Sequence, residues 1–332
     1  MSRAPLLTFT DRGIYCPPGD FHIDPWAPVP RALVTHGHSD HARPGMGAYL
    51  TTDGALPVIR HRLGEISAEG IAYGTPRAIG PVTVSFHPAG HVPGSAQIRV
   101  EYKGEVWVVS GDYKTEADGL CEPFAPVPCD TFITECTFGL PLFRWAPQAE
   151  VIAAIAAWWQ ANADAGRVSI IGAYGLGKAQ RILAALPPLG PLYAHGAVEA
   201  PSAILRAQGY PVPATLPARR GEVPAGALVV APPSALGSPW AGGLGPSPAE
   251  AFASGWMALR GIRRRRGLST GFVMSDHADW PGLNAAIAVT GASRVFVTHG
   301  YTGPFRRWLE AQGYDAGIVA TQFAGEAAEG EG

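Results

Sequence analysis

Lysine is nearly missing from this 332-residue chain: it occurs only at Lys103, Lys114 and Lys178, so the basic side chains are almost all arginine. Arginine offers phosphate oxygens a planar fork of donors, but a GC-rich genome yields the same bias with no binding role. A net basic excess is lacking too. The formal charge of −2 gives no global attraction to nucleic acid or acidic membranes, and such a partner would have to be held by local patches. The four cysteines, Cys16, Cys121, Cys129 and Cys136, show no C-x-x-C spacing, which argues against a zinc ribbon, a redox motif and a secreted disulfide framework. No apolar run approaches the roughly 20 residues that cross a bilayer, and no charged-then-apolar leader opens the chain. The expectation is a soluble, cytoplasmic protein with reduced thiols and no membrane partner.

Histidine and aspartate, by contrast, are concentrated. The run His36-Gly37-His38-Ser39-Asp40-His41 follows the strand-like stretch Ala32-Leu33-Val34-Thr35. Imidazole and carboxylate suit Zn²⁺ and its first-row neighbours, and an extended segment sends positions i and i+2 to the same side, so His36 and His38 can grip one ion together. Asp40 and His41 lie on the turn that follows and point elsewhere, which favours two adjacent ions over one. A polar loop that merely contains histidines is the plain alternative; the full H-x-H-x-D-H string after an apolar strand favours metal.

At this length one large fold, or a fold carrying an inserted domain, is expected, and a hydrophobic fraction of 47% supplies a core. Short β-type runs recur early, at Val82–Phe86, Ala96–Tyr102, Glu105–Ser110 and Thr131–Thr134. His91, Asp112 and Glu135 each sit just past one of them, where a rigid sheet holds a side chain that faces open space. From about Pro141 the texture becomes a β-α alternation. A helix is predicted over Ala149–Ala163, a buried strand at Val168–Gly172, a helix from Lys178 to Leu186, and parallel strands at Leu192–Ala194 and Leu228–Val230. After Gly255 the first pattern returns, with strands Gly271–Met274 and Val295–Val297 each ending in a histidine-bearing turn. The middle therefore reads as an inserted α/β domain, and the acidic tail from Ala324 as frayed.

His36, His38, Asp40, His41, His91, Asp112 and His299 are thus metal-ligand types in turns after predicted strands. Two ions about 3.5–4 Å apart, bridged by a carboxylate, would ionise water at neutral pH and neutralise a phosphoryl oxygen. Asp112, in a tight Gly-Asp turn, is the natural bridge, although most Gly-Asp dipeptides are ordinary loop formers.

These residues resemble the metal-ligand motifs of the metallo-β-lactamase superfamily: the H-x-H-x-D-H string, Gly90-His91, Gly111-Asp112 and Thr298-His299-Gly300. Thr134-Glu135-Cys136-Thr137 and Ser275-Asp276-His277-Ala278-Asp279 resemble motifs of its β-CASP nuclease branch, as does Ala173-Tyr174-Gly175-Leu176-Gly177-Lys178-Ala179-Gln180. Ser254-Gly255-Trp256-Met257 and the tract leading to Trp280 look most like the bacterial ligase-associated DNA exonucleases. The resemblance spans about Asp24 to Trp308. It implies an α/β fold, an αββα sandwich with an inserted β-CASP cap: 1–140 and 256–332 as the sandwich, 141–255 as the cap. It implies two divalent ions, Zn²⁺ with Mn²⁺ or Fe²⁺ as alternatives. His36, His38 and His91 would bind one, Asp40, His41 and His299 the other, and Asp112 both. Asp40, Asp112, Glu135 and His277 would be the catalytic set, with Glu135 orienting His277, which protonates the leaving oxygen. Asp24, in Ile23-Asp24-Pro25, would orient ligands from behind.

The implied activity is a DNA exonuclease of DNA repair, functionally associated with a ligase and a helicase. An RNA-processing ribonuclease stays open, because a histidine at 299 is more usual in the RNA-cleaving members. A small-molecule ester, thioester or lactam hydrolase and a non-catalytic scaffold are the remaining readings. Arg263-Arg264-Arg265-Arg266 and Lys178 are candidate phosphate binders, although a tract of this length is as readily a solvated loop and Gly-Leu-Gly-Lys lacks Walker spacing. Trp158-Trp159 reads as helix core rather than a base-stacking platform.

Overall fold

Strands of three to seven residues carry the first part of the chain. The computed structural model describes residues 5–259, 261 and 270–319. In it, β1 (Thr8–Thr10), β2 (Gly13–Cys16), β3 (Phe21–Ile23), β4 (Arg31–Leu33), β5 (Ala48–Thr52) and β6 (Ala68–Ile71) form one 6-stranded sheet in sequential order. Helix α1 (Leu56–Leu63) packs Ile59 onto its outer face with Ala32, Val34 and Tyr49. A 7-stranded sheet follows, built from β7 (Arg77–Ile79), β8 (Val82–Pro88), β9 (Ala96–Tyr102), β10 (Glu105–Val109) and β11 (Thr131–Cys136). It is completed by β18 (Arg294–Gly300) and β19 (Asp315–Ile318), in the order β19-β18-β11-β10-β9-β8-β7.

Alternation along these strands decides which sheet face each residue covers. Val82, Val84, Phe86, Ile98, Val100, Trp107, Val109 and Ile133 pack with Ile14, Phe21, Ile23, Leu33 and Leu50 of the first sheet in one core. Val108, Phe132, Val295 and Val297 face the other way, against Leu283, Ala286 and Ile287 of α6 (Trp280–Thr290) and Phe305 and Leu309 of α7 (Thr302–Ala311). Every residue of β11 is buried. That is the state of a strand covered on both faces, and it explains why Thr131–Cys136 reads as a continuous run rather than an alternating one.

Direction matters more than order for what comes next. β10, β11 and β18 run parallel, and β8 shares their direction because β9 is antiparallel to both β8 and β10. Their carboxyl ends therefore open on one edge, the position where strand-end side chains meet in α/β sheets. Helix α6 starts beside that edge: Asp279 caps it through Gly282 N at 2.9 Å, with Pro281 in its first turn and Gly291 in a left-handed C-terminal cap.

This first unit comprises residues up to Ala117, Cys121–Leu142 and the segment from His277 onward. The second comprises Asp118–Leu120 and Phe143–Asp276. It holds a 6-stranded sheet made of β12 (Ser169–Gly172), β13 (Leu192–Ala194), β14 (Leu216–Pro217), β15 (Leu228–Ala231), β16 (Ala249–Ala253) and β17 (Thr270–Phe272), in the order β14-β13-β15-β12-β16-β17. All its pairings are parallel. The helices α2 (Gln148–Asp164), α3 (Lys178–Ala185), α4 (Gly196–Ala207) and the short α5 (Pro239–Gly242) accompany it. The sequence places the return to the first unit at 256, whereas the compact unit continues to Asp276, because Ala251–Ala253 pairs with Thr270–Phe272 and keeps that strand in the parallel sheet. Trp159 is buried with its indole donating to Gly226 O at 2.8 Å, a core role. Among the described residues no helix is long and apolar enough to cross a membrane.

Phe86 is fully buried between the two sheets of the first unit. Phe86→Ala should lower the unfolding free energy by about 3–5 kcal/mol, read from urea denaturation of the metal-free protein.

Candidate metal centre

His36 and His38 enter the turn after β4 and meet His91, from the loop after β8, and Asp112, from the turn after β10. His36 Nε2 and His91 Nε2 each lie 3.1 Å from His38 Nδ1. The ligand atoms of His36, His38, His91 and Asp112 all lie within 4.8 Å of one another, as do those of Asp40, His41 and Asp112. Asp112 belongs to both sets. A mixed imidazole and carboxylate donor set of this density fits one first-row divalent ion per set.

The hydrogen bonds behind the rings aim them. Asp24 accepts from Thr35 N at 2.8 Å and from Thr35 Oγ1 at 2.6 Å. With its proton given to Asp24, the Thr35 hydroxyl can only accept from His36 Nδ1, 3.1 Å away. His36 then carries its hydrogen on Nδ1 and presents a bare Nε2 to the cluster. Asp24 Oδ2 lies 2.7 Å from His41 Nδ1 and turns Nε2 of that ring inward in the same way. This is how a carboxylate behind a histidine fixes its metal-binding tautomer. His41 Nε2 is 3.3 Å from Asp112 Oδ2 and 3.5 Å from Asp40 Oδ2, at ion-pair distance, yet it is buried with no hydrogen bond. A cation is the species that would satisfy it.

Electrostatics follow from the crowding. Burial, then the charges of His41, His38 and His91, hold His36 well below the ordinary imidazole range. Burial also opposes charge on His41, but Asp40, Asp112 and Asp24 outweigh it and hold that ring well above the usual value. Burial opposes ionisation of Asp112 as well, and His41 outweighs it, so its carboxyl sits well below the carboxylate range.

Gly111 has φ +56°, and a Cβ there would lie 2.7 Å from the Thr35 side chain. Only glycine lets the Asp112 turn approach the Asp24–Thr35 network so closely.

His299 arrives by a different device. β11 and β18 pair Glu135 with Thr298 and then Cys136 with Gly300, so His299 is the extra residue of a β-bulge, with φ +54°. Bulges re-aim side chains beside sites. The ring stacks on His41 with centroids 5.4 Å apart, while its ligand atoms join neither 4.8 Å set. Cys136 Sγ donates to His299 O at 2.8 Å, and burial followed by the Glu135 charge keeps that thiol protonated by raising it well above its ordinary value. Gly300 must be glycine, since a Cβ would sit 2.4 Å from Cys136 O. The sequence places Glu135 and His299 just past strands; both lie within the last residues of theirs.

Glu135, fully buried, receives Tyr113 N at 2.8 Å and contacts His277 Nδ1 at 3.0 and 2.8 Å through its two oxygens. Ala278 N donates to Tyr113 O at 2.7 Å, which ties the His277 segment to the residue after Asp112. The rings of His91 and His277 lie 4.6 Å apart, and Asp112, Glu135 and His277 have ligand atoms within 4.8 Å of one another. Thr35, Tyr113 and Cys136 were not singled out from the sequence. Adjacency to His36, Asp112 and Glu135 was the available signal.

One expectation fails. Lys178 is fully buried at the start of α3, its ammonium 3.0 Å from Asp276 Oδ1 and over the Tyr174 ring, so it is not a surface phosphate binder. Burying an ammonium demands such a partner, and the Gly175–Gly177 turn carries the lysine inward. Arg263, Arg264, Arg265 and Arg266 lie outside the described residues.

No family model matches the chain. A "Probable DNA ligase" of Opitutus terrae is 29% identical over 314 residues, which is 92% of this chain and 30% of that protein. Endoribonuclease ysh-1 of Neurospora crassa is 33% identical over 35% of this chain and 14% of its own length. Ribonuclease TTHA0252 of Thermus thermophilus is 30% identical over 38% of this chain and 28% of its own. These matches support a metallo-β-lactamase/β-CASP nuclease relationship. The chain spans about a third or less of the length of each of these curated relatives. A protein of unknown function from Enterococcus faecalis V583 superposes with a TM-score of 0.61 at 12% identity, covering 88% of this chain and 79% of that one, a likeness of fold alone.

The metal-free protein carries a proton on His41 at pH values between about 6.5 and its raised value. Zinc ligation must displace it, so titration calorimetry at pH 7 in buffers of different ionisation enthalpy should show release of about one proton from this ring, with the release lost as pH rises through that value. Asp24→Asn should weaken zinc binding by about 10- to 100-fold, measured by competition with a chromogenic chelator.

Proposed function

We propose that this chain is a metal-dependent nuclease, and within that class a DNA exonuclease of repair on a metallo-β-lactamase αββα sandwich with a β-CASP cap. The observation that carries the reading is the Glu135–His277 pair standing on the same sheet edge as the two imidazole and carboxylate sets. His36, His38 and His91 would hold one divalent ion, Asp40, His41 and His299 a second, with Asp112 common to both. Zn²⁺ suits the donors best, with Mn²⁺ and Fe²⁺ next. Bound ions of this kind lower the pKa of water and neutralise charge on phosphoryl oxygens.

The chain's own residues supply the rest. Glu135 accepts the Nδ1 hydrogen of His277 and stabilises the imidazolium. Nε2 is then the atom that delivers a proton to the departing sugar oxygen, which leaves poorly as an alkoxide. Tyr113 N neutralises part of the buried Glu135 charge and fixes the carboxylate plane. Asp24 and Thr35 keep His36 and His41 in the tautomers that face the ions. A lactam or thioester hydrolase needs no such acid pair, and this favours a phosphodiester.

DNA is favoured because 92% of the chain aligns within a protein named a probable DNA ligase, which also supports association with a DNA ligase; a helicase partner belongs to the same proposal. RNA is the second reading, supported by the ribonuclease names of the shorter matches. End-labelled DNA and RNA incubated under Zn²⁺, Mn²⁺ and Fe²⁺ separate the two: laddering of DNA supports the first reading, and cleavage of RNA alone overturns it.

His277→Ala should lower phosphodiester turnover by about 10²- to 10⁴-fold with metal content unchanged by elemental analysis. Turnover at the wild-type rate would remove His277 from the chemistry.

A further inference from the structure

His38 presents a different nitrogen from its neighbours. Its Nδ1 is the atom that lies 3.1 Å from both His36 Nε2 and His91 Nε2. Nδ1 is bonded to the ring carbon that joins the side chain, whereas Nε2 sits on the far side of the ring. A ligand atom at Nδ1 therefore takes its position closely from the main chain beneath it. The peptide group between Gly37 and His38 is planar, so Gly37 O and His38 Cα belong to one rigid unit. Whatever holds Gly37 O also holds His38 Cα.

Helix α1 supplies the grip. Arg62 Nη1, in its last turn, donates to Gly37 O at 2.6 Å. Gly37 is buried, and a buried carbonyl requires a donor. The helix is itself fixed: Val58 and Ile59 are buried, and Ile59 shares a core cluster with Val34 and Ala42, which flank the histidine run. Ala42 N in turn donates to His38 O at 2.8 Å. The other end of α1 abuts the loop that carries His91. Thr52 Oγ1 donates to Gly94 O at 2.5 Å and accepts from the N-cap residue Ala55 N at 3.0 Å, and a Cβ on Gly94 would lie 2.3 Å from Ala55 N. One helix thus braces both loops that contribute His36, His38 and His91.

We infer that Arg62 is a positioning residue for this metal-binding set, acting through the Gly37–His38 peptide on His38 Nδ1. The inference rests on the metal-centre reading and adds to it a residue that ligand spacing does not reveal. Charge is not its contribution. A guanidinium repels a divalent cation, so its field alone lowers metal affinity, and only the hydrogen bond to the loop acts in the opposite sense. Arg60 stands in the same last turn of α1 with the same charge, but its bond goes to Ala68 O at 2.9 Å. The two arginines therefore separate charge from hydrogen bonding.

The test is zinc affinity of the full chain, measured by competition with a chromogenic chelator, together with the visible spectrum of the cobalt-substituted protein. Arg62→Ala should bind zinc about tenfold more weakly and shift the cobalt bands, because the ligand field follows His38. Arg60→Ala should bind zinc as the wild type does or slightly more tightly. Arg62→Lys, which keeps a donor on a flexible stem, should recover part of the loss, and it carries the test if Arg62→Ala folds poorly. Zinc affinity of both Arg62 variants equal to or above that of the wild type, with unchanged cobalt bands, overturns the inference and leaves the metal centre standing. Equal losses in Arg60→Ala and Arg62→Ala also overturn it, since they mark a general effect of the helix. A wild-type chain that takes up no zinc overturns the metal reading and the inference with it.

Discussion

Imidazole nitrogens packed 3.1 Å apart beside carboxylates make a corner that protons alone satisfy poorly. His36 is driven toward neutrality while His41 is driven toward charge, a few ångströms away within one network. Divalent cations resolve both demands, since they take bare nitrogen lone pairs and carboxylate charge together. The neighbouring structure serves this corner. Asp24 and Thr35 hold the ring tautomers, Gly111 admits the Asp112 turn, and the bulge at His299 brings one more imidazole onto the His41 ring.

The sheet explains why such a corner can be built from residues far apart in sequence. Parallel alignment of β10, β11 and β18 brings three carboxyl ends to one edge, and each end contributes a polar side chain. The fully buried β11 keeps that edge rigid, and the Ala278–Tyr113 hydrogen bond places the segment bearing His277 against it.

Much of this was legible in the residues. Ala96–Tyr102 and Leu192–Ala194 coincide with predicted strands, and the helix predicted over Ala149–Ala163 spans Gln148–Asp164, because their hydrophobic patterns match their periods. The clustered histidines announced themselves by spacing. The strands β1–β3 were not legible: they are short, and their hydrogen-bond partners lie in neighbouring strands rather than in a local pattern. Lys178 misled because a glycine-rich turn before a helix looks alike whether the lysine faces solvent or an aspartate nearly a hundred residues further on. Nor does Thr298-His299-Gly300 disclose a bulge, whose existence depends on the register against β11.

Sequence alone determined the ligand types, their order along the chain and the elements that carry them, since these follow from side-chain chemistry and local periodicity. Tertiary structure decided which nitrogen of His36 and of His41 faces the cluster, and that Lys178 is neutralised in the interior. Those outcomes depend on distances of a few ångströms between segments separated by tens to hundreds of residues, and no local pattern encodes such distances.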